Sequence, residues 1–240
     1  MSPDKEKAGN INETGVLVDR SADARTRLIQ AGLEAFGLYN FEGASTRDLA
    51  RLAGVNLSAI PYHFGGKKAL YEAVVEHIAA NLFEHAGPEL ERAGELLENP
   101  ETGSDALMEV LLSFLERAAA AMLLTPEARY WARIMLREQM MPTDAYGKLF
   151  EKALGPAHET LQKLTARICG LPEESPVAGV RAFTLLGQVL VFRAAQETVK
   201  RRLEWESIDH ENFALIRDVI RENVGVILHG TGSSKDGAMS

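Results

Sequence analysis

Apolar residues return at intervals of three and four along almost the whole chain, and alternating or β-branched runs are scarce. That period is the mark of amphipathic helices and predicts an all-α protein. A first helix is expected from Ser21, with Leu28, Ala31, Leu33, Ala35 and Phe36 as its buried stripe, ending near Tyr39-Asn40 where Asn can adopt a left-handed conformation. A second helix starts at Ser45, with Asp48 at capping-box spacing, and stops at Gly54. A third runs from an Asn56 cap through Phe64, with a slight kink expected at Pro61, whose missing amide would have bonded to the Leu57 carbonyl. Gly65-Gly66 ends it, and Leu70, Val74, Ile78 and Leu82 line one face of a fourth.

Further helices are expected at Pro88–Leu97, Ser104–Leu124, Pro126–Met140, Thr143–Gly170 with a break at Gly155-Pro156, Pro176–Arg202 and Asp209–Leu228. Residues 1–20 and 231–240 lack periodicity and read as flexible tails. The tight Ala53-Gly54-Val55 turn joins helices two and three as in a helix-turn-helix unit.

Composition adds boundaries. With 46% apolar residues, 240 positions can bury one large or two small cores. The single cysteine excludes an intrachain disulfide and a cysteine-cluster zinc site. The apolar runs fall short of a membrane span and MSPDKEKAGN lacks a signal-peptide core, so a cytoplasmic protein without a membrane partner is expected. A net charge of −8 argues against nucleic acid until its distribution is considered. Residues 20–81 hold seven Lys/Arg against six Asp/Glu, so the acidity lies elsewhere. A local basic surface is enough for phosphate contact.

In a helix-turn-helix the second helix of the pair enters the major groove with its N-terminal residues at the base edges. Leu57, Ser58 and Ala59 occupy that position and are small or apolar enough for close approach. Tyr62, His63 and Lys67 offer phosphate contacts, as do the Ser45 and Thr46 hydroxyls and the amides opening the second helix. Arg47 is suited to gripping a guanine, or else pairs with Asp48 or Glu42.

FEGASTRDLARLAGVNLSAIPYHFGGKKALYEAVV resembles the DNA-binding segment of TetR-family transcriptional regulators. The marks are Phe36-Gly37 closing helix one, a Thr-containing second helix, the Ala-Gly-Val turn, and Tyr-His-Phe followed by Lys and Leu-Tyr. Pro61 departs from the Tyr or Asn common there, so no side-chain contact is expected at that position. REQMMPTDAYGKLFEKALGPAHETL is similar to the C-terminal domain of the CecR-like subgroup. The resemblance implies a helix-turn-helix domain over residues 21–68 and a larger helical domain over 69–230 that binds a small effector and forms a homodimer. It implies a repressor released from a palindromic DNA operator, or alternatively an activator or an effector-independent DNA-binding protein.

For the effector, Tyr130, Ile134, Arg137 and Glu138 on one helix and Phe183, Gln188 and Phe192 on another are candidates, though such a stripe is more often packing. Leu185, Leu186, Val189 and Leu190 with Ile216, Val219, Ile220 and Ile227 are candidates for the dimer interface. P-loop, zincin and nucleophile-elbow motifs are absent, and no cofactor or metal is expected. A helical enzyme using Glu138 or His158 is the remote rival, so the chain is not expected to be an enzyme.

Overall fold

A computed structural model describes residues 20–229, with side chains from Asp23 to Leu228; both expected tails lie outside the described residues. The described residues hold eleven α-helices and no strand. They divide into two compact units, one through Val74 and the other from Val75.

The first unit contains α1 (Arg20–Gly43), α2 (Thr46–Ala53), α3 (Ala59–Phe64) and the start of α4 (Lys67–Glu98). Its core is Leu28, Phe36, Leu49, Ile60 and Leu70, all at most 1% exposed. Phe36 meets Tyr71 edge to face at 5.1 Å. Gly32 permits close approach at this point, because a Cβ there would lie 2.7 Å from Val74 Cγ2. Asn40 takes a positive φ of 61°, and its Oδ1 accepts the Gly43 amide at 2.9 Å, so the chain resumes one further helical turn instead of ending at Asn40.

Helix α3 differs from expectation in the same local way. Asn56 Oδ1 accepts the Ser58 amide at 3.1 Å, which spends Leu57 and Ser58 on a turn. The helix starts at Ala59, and Ile60 rather than residue 61 donates to the Leu57 carbonyl, at 3.4 Å. Pro61 therefore falls in the first turn, where a missing amide is harmless, and the expected kink has no cause.

The second unit comprises the rest of α4 with α5 (Ser104–Leu124), α6 (Ala128–Met140), α7 (Asp144–Leu149), a π-helical turn (Phe150–Leu154), α8 (Gly155–Ile168), α9 (Pro176–Ala194), α10 (Gln196–Leu203) and α11 (His210–His229). Leu107, Leu111 and Leu115 of α5 form the centre, against Ile134 of α6, Leu161 of α8, Leu185 of α9 and Ile216 of α11.

Three boundaries depart from the sequence reading. Pro88 does not start a new helix but sits inside the 32-residue α4. Residues 143–170 break earlier than Gly155, through the π-helical turn. The Pro176–Arg202 segment breaks at Ala195 (φ −105°, ψ 23°) to give α9 and α10. Arg167 of α8 donates to the carbonyls of Leu97, Asn99 and Pro100 at 3.2, 2.9 and 2.6 Å, satisfying the C-terminal end of α4.

Candidate nucleic-acid interface and effector cavity

Helix α2 is capped by Ser45, whose Oγ accepts the Asp48 amide at 3.1 Å and donates to Asp48 Oδ2 at 2.5 Å. Asp is too short to complete the box through the Ser45 amide, so it takes the hydroxyl proton instead. That hydrogen bond, followed by Arg51 at 3.4 Å, holds the Asp48 carboxyl below its ordinary range. With Asp48 engaged by Ser45 and Arg51, Arg47 is exposed and has no carboxylate within ion-pair distance among the described residues. The α2 C-terminus closes on Gly54 at φ 63°, with the Val55 amide on the Ala50 carbonyl at 3.0 Å.

The residues singled out for DNA lie at the start of α2, in the turn before α3, along α3 and at the start of α4. Ser45, Arg47, Leu57, Ser58 and Tyr62 are exposed, and Thr46, Ala59, His63 and Lys67 are half-buried. Tyr62 is 80% exposed, too much for a residue serving the fold. The Lys67 ammonium rests 4.5 Å from the centre of the Phe41 ring.

The second unit holds a partly open cavity of about 140 Å³ lined from α4, α5, α6, the π-helical turn, α8 and α9. Of the seven candidate effector residues, Phe183 alone is on its wall. Ile134 is buried in the core. Glu138, 1% exposed, accepts the Thr143 amide and hydroxyl, each at 3.0 Å, and so holds the cap of α7. The Arg129 guanidinium covers Tyr130 at 4.6 Å, and Arg137 and Phe192 are half-buried away from the cavity wall. Gln188 Oε1 accepts from Asn223 at 3.0 Å and ties α9 to α11.

The candidate interface residues also divide. Leu185, Val189, Ile216 and Ile220 are at most 5% exposed and belong to the protomer's own core, which corrects their assignment to a partner-facing stripe. Leu186, Val189 and Leu190 line the cavity. Val219 is exposed and Ile227 half-buried. Met135 and Gln139, one position beyond Ile134 and Glu138 on α6, are on the wall although neither was an effector candidate, and so is His158, which the sequence placed in this cavity only under the enzyme reading. A 100° step per residue makes neighbours in sequence face different surroundings, so the period alone could not separate them.

Residues 28–74 match the family described as bacterial regulatory proteins, tetR family, and residues 107–231 match the HTH-type transcriptional dual regulator CecR, C-terminal domain. The chain belongs to the TetR family of transcriptional regulators. The HTH-type transcriptional dual regulator CecR of Shigella flexneri is 32% identical over 211 residues, spanning 88% of this chain and 94% of the relative. Two solved structures share the fold. AibR in complex with isovaleryl coenzyme A and operator DNA has a TM-score of 0.61 at 13% identity, covering 85% of this chain and 98% of that one. A TetR-like transcriptional regulator from Rhodococcus sp. RHA1 has a TM-score of 0.60 at 16% identity, covering 86% and 96%. A TetR-family chain with a CecR-type C-terminal domain is a DNA-binding transcriptional regulator, and its family is not one of enzymes. Among the described residues no group of three His, Cys, Asp or Glu is placed to hold a metal ion.

Proposed function

We propose that this regulator is a homodimeric repressor, released from a palindromic operator by a small molecule taken up in the second-unit cavity. The observation that carries the reading is the course of α4. It begins at Lys67, beside the helix-turn-helix, and the same helix supplies Leu82, Phe83, His85, Ala86 and Leu90 to the cavity wall. A ligand that changes the set of this wall acts on the helix that leads directly from the DNA-binding unit. A hundredfold loss of operator affinity requires the ligand to distinguish the two states by about 2.7 kcal/mol.

Support for a dimer comes from α9 and α11. Helix α9 is long and apolar enough to cross a membrane by composition, yet only 22% of that window is buried. One side of it meets the core and cavity. Val177, Val180 and Val191 on the other are 49–64% exposed, as are Leu215, Val219 and Val226 of α11 at 43–73%. Two bare apolar stripes on neighbouring helices suit an isologous contact with a second copy. Such a dimer would set two recognition helices about 34–36 Å apart in successive major grooves. Ser45, Thr46, Tyr62, His63 and Lys67 would then position the phosphates, while Arg47, Leu57, Ser58 and Ala59 would read bases. A partner of this kind places the protein with the chromosome, in the cytoplasm.

Selection of genomic fragments with the purified protein, followed by footprinting near physiological salt, tests the reading. A protected palindrome with half-sites about one helical turn apart is expected. No enrichment over random DNA by a folded dimer would overturn it. Activation at some promoters is a second reading, favoured by the dual-regulator name of the Shigella relative. Transcription in vitro from the enriched fragments separates the two by the sign of the effect.

A further inference from the structure

The cavity wall is chemically one-sided. Of its side chains, His85, Gln139 and His158 alone are polar, and it includes no Lys, Arg, Asp or Glu. A charged ligand group inside would be stripped of water without a counter-charge, which is strongly unfavourable. His85 Nδ1 is already bonded to the Asn81 carbonyl at 2.7 Å, and Gln139 is exposed. His158 differs from both. Its Nδ1 is buried with no partner, so the protein's own hydrogen bonding does not account for an imidazole at this place. Burial also holds His158 below the ordinary histidine range, which keeps the ring neutral near pH 7 and removes its attraction for an anion.

Size and shape narrow the ligand further. An apolar cavity of about 150 Å³ takes up benzene. The volume here, about 140 Å³, therefore has room for one six-membered ring. The wall supplies flat and polarisable partners. Phe83, Phe114 and Phe183 contribute rings, and Met122 and Met135 contribute thioethers, which contact ring edges favourably. The Phe183 ring lies 4.2 Å from that of His158 at 30°, so the imidazole is itself held by stacking.

We propose that this cavity takes an uncharged monocyclic aromatic molecule bearing one hydroxyl group, with the ring among Phe83, Phe114, Met122 and Met135 and the hydroxyl on the His158 imidazole. The inference rests on the reading of this cavity as the effector site. A hydroxyl fits better than a carbonyl or an amine because it both donates and accepts, and so satisfies a neutral imidazole in either tautomer.

The test uses the full chain, without DNA, at pH 7.5 and three probes of matched size: p-cresol, toluene and p-toluate, titrated by calorimetry. p-Cresol should bind about fivefold to tenfold tighter than toluene, the worth of one hydrogen bond, and p-toluate should not compete with it. In His158→Phe the preference for p-cresol over toluene should vanish, and measurable toluene binding by that variant reports a cavity that still takes a ring. His158→Gln should recover part of the difference. Equal affinities for p-cresol and toluene in the unaltered protein would overturn the role of His158. Binding of p-toluate as tight as p-cresol would overturn the uncharged class, and no binding by any probe at millimolar concentration would overturn the ring site. Addition of p-cresol to the footprinted operator complex is a separate measurement. Binding without release would uphold the ligand class and overturn the cavity's use as the regulatory site, and absence of an operator would leave the titrations standing.

Discussion

Arg117 of α5 donates its Nε proton to the backbone carbonyl of His85 at 3.0 Å, three residues before Pro88 in α4. Proline has no amide for the carbonyl four residues back and its ring pushes that turn apart, so carbonyls just before it need other partners. Arg117 supplies one, and its Nε also lies 2.8 Å from the Glu89 carboxylate. This is how a proline sits inside a helix that the sequence alone appeared to interrupt. Arg117→Ala should destabilise the protein by about 1–2 kcal/mol, a charged hydrogen bond discounted for a half-exposed guanidinium. In a Pro88→Ala background the same change should cost less, by about 0.5–1 kcal/mol, because the turn has closed. Urea unfolding of the four proteins checks the difference, and equal costs in both backgrounds would separate Arg117 from the proline.

Glu138 has the opposite lesson. Its buried carboxylate looked available to a ligand and instead receives Thr143 N–H and Oγ–H, while Thr143 Oγ1 accepts the Ala145 amide at 3.2 Å. Glu138→Ala leaves the Thr143 amide without its acceptor and should cost about 2–3 kcal/mol. Glu138→Gln, which keeps one acceptor oxygen, should cost clearly less. Chemical denaturation measures both, and a harmless Glu138→Ala would reopen a ligand role.

Acidification should weaken the fold in two stages. Burial lowers His158 and His77 from the ordinary 6.5, so below that pH the unfolded chain binds protons that the folded one resists, and stability falls as pH drops towards the folded values. Glu76, bonded by Lys148 at 2.9 Å, is lowered from the ordinary 4.5. Its contribution is present above that value and is lost as pH falls through the folded pKa. Urea midpoints measured from pH 8 to pH 3 should show both declines. His158→Gln should flatten the upper one in part, because His77 remains, and leave the lower one in place.

For the proposed dimer, Val180→Asp with Val226→Asp should raise the dimer dissociation constant at least about a hundredfold, by placing charges on the bare stripes. Leu185→Ala should instead cost about 2–5 kcal/mol of protomer stability, as a core truncation does. Sedimentation equilibrium and unfolding distinguish the two effects. An unchanged dimer in the double variant would move the interface elsewhere.

At the DNA surface, Lys67→Ala should weaken binding to all sequences and lower the salt slope by about one, once the ammonium that rests on Phe41 no longer reaches phosphate. Arg47→Ala should cost about 1–3 kcal/mol and relax preference at one base pair. A uniform loss over random DNA would make Arg47 a phosphate contact, and an unchanged slope would remove Lys67 from the phosphate set.

The helix-turn-helix was legible because its signals are local. Ser45 caps through a residue three positions away, Gly54 is needed for the left-handed C-cap, and the Tyr-His-Phe run sits at a fixed distance from both. The α1 stripe of Leu28, Ala31, Leu33, Ala35 and Phe36 is buried for the same reason, since one amphipathic face is enough to bury it. Helix α9 has no such single face. Leu185 enters the core, Leu186 the cavity and Val180 the bare stripe, though all three are aliphatic residues of one helix. Likewise α6 sends Glu138 to the cap of α7 and the adjacent Gln139 to the cavity wall. The sequence by itself determined the all-helical architecture and the DNA-binding element, because short-range period, caps and turns encode both. Only the tertiary structure decided which apolar face is core, cavity or free surface. That choice depends on which helices close around α9 and α6, and residues far apart in the chain make it.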